Sequence, residues 1–411
     1  MASQQTTELR KGAQVPEPGL TEEEVVVRAV ALRPLLRANR IKAAEDGSYS
    51  TEIHETFDKA GFYRLVQPRK YGGYEFSLET QYRVMVEISR GDPGIGWCLT
   101  LGTAHTIPLV SYFPEAVVSD AFGDDGLFIA SHSASSRGVA VPTEGGYLLS
   151  GSWGYSSGVA HSTHAMVTAA VQSQGEVPEL IVALLPREDY TVLDDWNSSL
   201  TMALGASGSQ TVKIEGAFVP ADRTVPFDWQ ATTFPEETIG VRSTGNPLYL
   251  AHIGPLYAGT LACIQVGAAK AALDEYTQII TTKKRTFAPQ VERYKHPDAQ
   301  LVYAEARAMI EAAEAVVYAG ARDFRSLGER WLNDDHPALE EWLAVGNMLY
   351  TAIQLAHEAT ELLFRSVGSS VARKGVPLQD YFLATQMQKT QLEENKPHFY
   401  TSLAKAHFGL E

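Results

Sequence analysis

From Thr21 to about residue 125, apolar positions recur every three or four residues, the spacing of helices that bury one face. Thr21 can cap the first of these with Glu24 three residues on, and Val26, Val30 and Leu36 supply its apolar side. Ser50 and Thr51 start a second helix, which Gly61 stops. Pro68 and Gly72-Gly73 break FYRLVQPRKYGGYE into a loop, after which Ser77 caps a third helix through Ser89. A fourth, from about Ile95 to Val110, holds Trp97 and His105. From Leu127 the period falls to two. FIASHS, GGYLLSGSWGYSS, HAMVTAAV, ELIVALLP, YTVLDDW and QTVKIEGAFVP read as short strands with no helices between them. That spacing predicts an antiparallel sheet or barrel rather than βαβ units. Residues 228–255 have no clear period and read as a connection fit to cover a site. Then Leu261–Lys284, Pro297–Leu327, Pro337–Val367 and about Leu378–Leu403 repeat the helical period, which predicts an antiparallel bundle.

The fold class is therefore α+β, predominantly α. A helical domain (1–125) precedes a central antiparallel β-domain (126–235) and a C-terminal four-helix bundle (236–411). Within the β-domain, residues 145–170 place Ser152, Ser156 and Ser157 among Trp153 and Tyr155, followed by His161 and His164. Two readings stand for this stretch: a core strand with two turns, or a wall on which a flat, polar-edged heterocycle leans.

Charge and composition narrow the function. The 34 Lys and Arg against 49 Asp and Glu give a net charge near −15, which argues against nucleic acid or an anionic membrane as partner. The two cysteines, Cys98 and Cys263, lie in apolar surroundings without CxxC spacing, as expected of free thiols in a reducing cytoplasm. The polar N-terminus is no signal peptide, and no uninterrupted run of 18 apolar residues is present, so a soluble, cytoplasmic protein is expected. Position 99 is Leu, so GDPGIGWC fails the dinucleotide fingerprint. ALGASGSQ does not fit a hydrolase elbow. His161 and His164, three apart in a strand, would face opposite sides, and no metal is expected.

Helices, a small β-domain and a four-helix bundle, in that order, resemble the acyl-CoA dehydrogenase superfamily across about 380 residues. KAGFYRLVQPRKYGGYE, FIAS, GYSSG, ALDEYTQIITTKKRTFA and LGASGSQTVKIEGAFVP are similar to that family's segments in order. The resemblance implies that Phe128, Ala130, Ser131, Tyr155 and Ser157 line a flavin ring. It implies that Lys284, Thr286 and Phe287 meet the phosphates or adenine, across a subunit contact in a homotetramer, and that Gly368 and Ser369 form a glycine turn near the cofactor. Wording such as GIGWCLTLGTAHT and GVPLQDYF resembles more closely the group D, two-component flavin-dependent monooxygenases. In these, reduced FAD (FMN is the alternative) comes from a separate NAD(P)H-dependent flavin reductase and forms a C4a-hydroperoxide with O2.

Departures from the family pattern refine the reading. The dehydrogenases' catalytic glutamate falls at Leu392, which cannot abstract a proton. The rival, a true acyl-CoA dehydrogenase-type oxidoreductase, needs Glu393 or Glu394 as base. The histidines that assist phenol deprotonation in the last helix fall at Gln386 and Gln391, which hydrogen-bond but do not accept a proton. An indole, already nucleophilic at C3, needs no such base. The resemblance thus implies oxygenation of a small aromatic or N-heteroaromatic, indole-like substrate, as in relatives of indole oxidation and indole-terpenoid secondary metabolism. Ser157, His105 and Gln391 are then the expected catalytic residues, and Trp97, His105, Gln386 and Leu392 the substrate contacts. A non-enzymatic flavin-binding relative is the third reading.

Overall fold

Helix α1 (Glu22–Asp46) begins as its capping box dictates: the Thr21 hydroxyl accepts from the Glu24 N–H, and the Glu24 carboxylate accepts from the Thr21 N–H. Ser50 and Ser77 cap α2 (Thr51–Lys59) and α3 (Leu78–Gly91) through their hydroxyls alone, which accept from the Ile53 and Thr80 N–H groups. These are seen in a computed structural model that describes residues 15–173, 178–226, 237–250, 253–285 and 290–410, the side chains of Ser136, Gln391, Leu392, Glu394 and Asn395 excepted. The single helix expected over Ile95–Val110 is two, α4 (Pro93–Ala104) and α5 (Thr106–Tyr112), with His105 at the break. Pro108 has no N–H for the Ala104 carbonyl and its ring crowds that oxygen, so the helix ends there. A further helix, α6 (Glu115–Phe122), to which the pattern gave no separate element, follows Pro114.

Seven strands form one sheet: β1 (Ala130–Thr143), β2 (Gly146–Trp153), β3 (His164–Val171), β4 (Leu180–Pro186), β5 (Thr191–Val192), β6 (Val212–Pro220) and β7 (Thr224–Pro226), in the order β5-β6-β2-β1-β3-β4-β7. The all-antiparallel expectation fails at one pairing, because β1 and β3 run parallel. After β2 the chain turns through Gly158 and bonds to the Ile129 carbonyl from Thr163 and His164. It thereby enters on the free edge of β1 at β1's own start, Ala130 facing His164. The sheet has its own apolar core, in which Leu149, Trp153, Val167 and Ile214 meet. Trp153 is fully buried there, its indole N–H donated to the Thr168 carbonyl at 2.7 Å. It is thus a core residue and no part of the aromatic wall that the sequence suggests.

The bundle comprises α8 (Ile253–Thr282), α9 (Pro297–Leu332), α10 (Leu339–Ser366) and α11 (Pro377–Phe408). Helix α8 packs against α3 as well as α9, α10 and α11, so it joins the first helical domain to the bundle. At the α3 contact a Cβ on Gly259 would stand 2.0 Å from the Tyr82 hydroxyl, which is why no side chain fits there. Although α8 is long and apolar enough to cross a membrane, 78% of its most apolar stretch is buried within the protein, as in a core helix. Of the unpatterned 228–255 stretch, residues 237–250 hold a short helix, α7 (Ile239–Thr244), and a 3-10 turn at Pro247–Leu250, while the rest lies largely outside the described residues.

Candidate functional site

Where α4 passes the turn after β2, four side chains form a hydrogen-bonded row. The Trp97 indole N–H donates to Ser157 Oγ at 3.0 Å, Ser157 Oγ pairs with Ser209 Oγ at 2.8 Å, and Ser209 Oγ with Ser207 Oγ at 2.6 Å. All four are buried. Gly208, at φ +61°, folds the Ser-Gly-Ser segment tightly enough for its two hydroxyls to meet. An indole N–H can only donate, so it holds Ser157 Oγ as acceptor and leaves the serine's own proton to point along the row or into the site.

The second feature is His105, at the break that Pro108 imposes. Its Nδ1–H donates to the Ala130 carbonyl at 2.7 Å; the acceptor fixes the tautomer and leaves Nε2 with a lone pair. Burial holds the imidazole neutral by pushing its pKa down to about 4. His132, two residues past Ala130 and on the same face of β1, stands edge-on to that ring at 5.4 Å, and burial pushes it down to about 3. Tyr257 of α8 completes the group, its ring 5.7 Å from the His105 ring and its hydroxyl 3.5 Å from His132 Nδ1.

Around these groups the predicted cofactor residues divide. Ser131 is buried and its hydroxyl finds no partner among the described residues. Phe128 is fully enclosed between Phe122 and His164. Tyr155 is 66% exposed, its backbone at φ +56° and its ring edge-on to Trp196 at 5.4 Å. A non-glycine residue held in the left-handed region, with an exposed aromatic ring, is strained in a way that surfaces seldom retain without use. His161 lies in a turn rather than a strand, stacked on Tyr49 at 4.2 Å with its Nε2–H on the Tyr49 carbonyl. His164 opens β3 against Phe128 and Thr163.

Lys284 and the Gly368–Ser369 turn form a second group at the end of the bundle. Lys284 is exposed and its backbone pairs antiparallel with that of Glu292; the next residue, Arg293, donates from Nη1 to the Val367 carbonyl at 2.7 Å. Gly368 has φ +81°, and the Arg293 guanidinium lies 3.6 Å from where a Cβ would stand. Thr286 and Phe287 lie outside the described residues. On α11, Gln386 is half-buried with its amide nitrogen unpartnered among the described residues. The side chains of Gln391 and Leu392 lie outside the description. Glu393, a candidate base for the rival dehydrogenase, points to solvent and pairs with Lys396 at 3.6 Å. Glu394 is outside the described side chains.

The residues present fit a flavin. Its ring edge alternates N–H and C=O groups, and the structure offers an unpartnered buried hydroxyl at Ser131 and a serine whose oxygen is pre-oriented by Trp97. At the bundle's end, the bare Gly368 backbone beside the Arg293 guanidinium is a cradle for phosphate oxygens. Ser207, Ser209, His132 and Arg293 were not expected from the sequence. His132 was within reach, since strand alternation puts it on the Ala130 face.

Two family models match this chain: "Acyl-CoA dehydrogenase, N-terminal domain" at residues 24–127 and "Acyl-CoA dehydrogenase, C-terminal domain" at residues 260–382. Among curated proteins, the flavin-dependent monooxygenase oxygenase subunit HsaA of Rhodococcus jostii is 26% identical over 384 residues, covering 93% of this chain and 98% of its own. Among solved structures, the 3-HSA hydroxylase from Rhodococcus sp. RHA1 superposes with a TM-score of 0.84 at 25% identity, covering 94% of this chain and 97% of that one. XiaF from Streptomyces sp., solved with FADH2 and glycerol, shares the fold with a TM-score of 0.83 at 24% identity, covering 95% and 96%. With matches on both sides of the sheet and more than half of its length covered, the chain belongs to the acyl-CoA dehydrogenase family.

Proposed function

We propose that this protein is the oxygenase component of a two-component system, taking reduced FAD (or FMN) from a separate NAD(P)H-dependent reductase to oxygenate an indole-like aromatic. The row Trp97–Ser157–Ser209–Ser207 beside Tyr155 is the observation that supports it best. The name of the HsaA relative, an oxygenase subunit of a flavin-dependent monooxygenase, points the same way. Reduced flavin, when bound, supplies the two electrons that activate O2, so that one oxygen atom enters the substrate and the other leaves as water.

This chain's residues bind, orient and keep the site dry. Ser157 offers a hydroxyl with a fixed lone-pair direction, and Ser131 a second, unpartnered one. His105, neutral and buried, presents Nε2 as an acceptor for a substrate N–H or O–H without itself taking a proton at neutral pH. Gln386 can hydrogen-bond but not deprotonate, which favours an indole N–H over a phenol in need of a base. The two groups of cofactor residues suit a homotetramer in which a second copy supplies the phosphate end. The buried free thiols Cys98 and Cys263 suit the cytoplasm.

Supplied with a flavin reductase, NADH, FAD and indole, the protein is expected to produce blue pigment. Turnover of phenols without any of indoles would refute the substrate assignment. Tyr155→Gly should separate strain from binding. It removes a left-handed penalty of about 1 kcal/mol, so the flavin-free protein should unfold at equal or higher urea. Flavin affinity, followed by fluorescence titration, should fall about tenfold, the worth of one ring contact.

A further inference from the structure

Tyr49, His54, Tyr63 and Cys98 have no part in the chemistry described so far, yet their polar atoms form a second hydrogen-bonded run that ends against the site. His54 Nδ1 lies 2.7 Å from the Tyr63 hydroxyl, and that hydroxyl lies 2.9 Å from the Tyr49 hydroxyl. The Tyr49 hydroxyl in turn hydrogen-bonds to the Cys98 thiol. Tyr63, Tyr49 and Cys98 are buried; of the four, only the half-buried His54 on α2 reaches solvent. At the inner end a Cβ on Gly208 would stand 3.0 Å from Cys98 Sγ, so the thiol lies against the turn that carries Ser207 and Ser209. The Gly208 N–H donates to the Gly47 carbonyl at 2.9 Å, which fixes that turn beside the Tyr49 segment. His161 braces the run, stacking on Tyr49 at 4.2 Å and on His54 at 4.9 Å.

We propose that His54, Tyr63, Tyr49 and Cys98 are a proton path from solvent to the Ser207–Ser209–Ser157 row. The proposal rests on the oxygenase reading above. Reduced flavin is an anion at neutral pH. That anion, O2 and a substrate C–H give oxidised flavin, a C–OH and water only when one proton is added. The site's own groups do not bring it: Gln386 has no acidic proton, and the one N–H of neutral His105 is held by the Ala130 carbonyl. Along the path each group passes its proton inward and takes one from behind, from His54 N–H to Tyr63, then to Tyr49, then to Cys98, whose S–H faces the serine turn. Nothing is oxidised or reduced. Hydroxyls and thiols both donate and accept, as a relay requires. Glu55 and Asp58, on the same helix as His54, favour its protonated form, and Tyr63 and the His161 ring are the other titratable groups against it.

The test follows the two buried thiols of the flavin-free protein by their infrared S–H bands after transfer to D2O, the bands being assigned with Cys98→Ala and Cys263→Ala. Cys263, fully buried in α8 and off the path, is the internal control. Cys98 is expected to exchange to S–D faster than Cys263. Tyr63→Phe, which keeps the ring, should slow Cys98 about tenfold or more and leave Cys263 unchanged. With a flavin reductase and indole, the same variant should lower kcat on the order of tenfold at unchanged KM. His54→Ala should lose as much and recover with added imidazole. Tyr49→Phe repeats the test should Tyr63→Phe fail to fold by circular dichroism. If indole is oxygenated and either readout ignores Tyr63→Phe, the path fails alone. If the exchange of Cys98 responds but indole is not oxygenated, the oxygenase reading fails and the path stands. Equal slowing of both thiols would mark a general change in opening of the fold and overturn the proposal.

Discussion

Ser157→Ala is expected to lower product formed per flavin oxidised by on the order of a hundredfold, with the lost electrons appearing as hydrogen peroxide. The reason lies on both sides of the serine. Trp97 Nε1–H would lose its acceptor while remaining buried, which costs about 1–3 kcal/mol, and the row would be cut from Ser209 onward. Ser157→Thr retains the hydroxyl and should keep most of the coupling. Ser209→Ala leaves the Trp97–Ser157 bond in place and should cost about tenfold. Equal losses for Ser157→Ala and Ser157→Thr would show that shape rather than the hydroxyl matters. Oxygen uptake and peroxide release, measured together, distinguish these outcomes.

Mild acid should destabilise this protein unusually early. His105, His161, His164 and His357 are each pushed down to about 4, and His132 to about 3, chiefly by burial. All five are neutral in the folded chain, while the unfolded chain protonates its histidines near 6.5. A depressed histidine pKa means that the unfolded state binds more protons below 6.5. Stability is therefore complete above that pH and falls as pH drops to about 4. Each shift of this size corresponds to about 3 kcal/mol. Asp92, pushed up to about 6 by burial, and Asp380 and Glu275, also raised by burial, work in the opposite direction. Urea midpoints measured from pH 7 to pH 4.5 should fall steeply below 6.5. A midpoint unchanged down to pH 5 would mean that these rings are not held neutral. Because His105 charges only near 4, substrate affinity should be flat between pH 6 and pH 8.

What the sequence disclosed follows the range of the physics involved. Caps at Thr21, Ser50 and Ser77 are decided within three or four residues, so they were legible. The break at His105 is equally local and was within reach, because Pro108 announces it. The parallel β1–β3 pairing depends on which free edge the returning chain finds, and alternation alone does not specify that. Trp153 shows the same limit from another side. Its neighbours Tyr155 and Ser157 made it look like part of a wall, but only the pairing of β2 with β1 and β6 turns its ring into the sheet core. Ser207 and Ser209 were noticed only as a poor hydrolase elbow. Their partner, Ser157, lies about 50 positions earlier, and nothing local connects them. The resemblance to flavoproteins supplied Ser157 and His105. The structure added what holds each of them: an indole N–H for one and a backbone carbonyl for the other.

The most direct test mixes the protein, loaded with reduced flavin under anaerobic conditions, with oxygenated buffer in a rapid-mixing spectrophotometer. A sheltered site built around Ser157 predicts a transient absorbance unlike that of reduced or oxidised flavin, preceding reoxidation and decaying faster when indole is present. Reoxidation in one step, together with anaerobic bleaching of the oxidised flavin by an acyl-CoA, would contradict it.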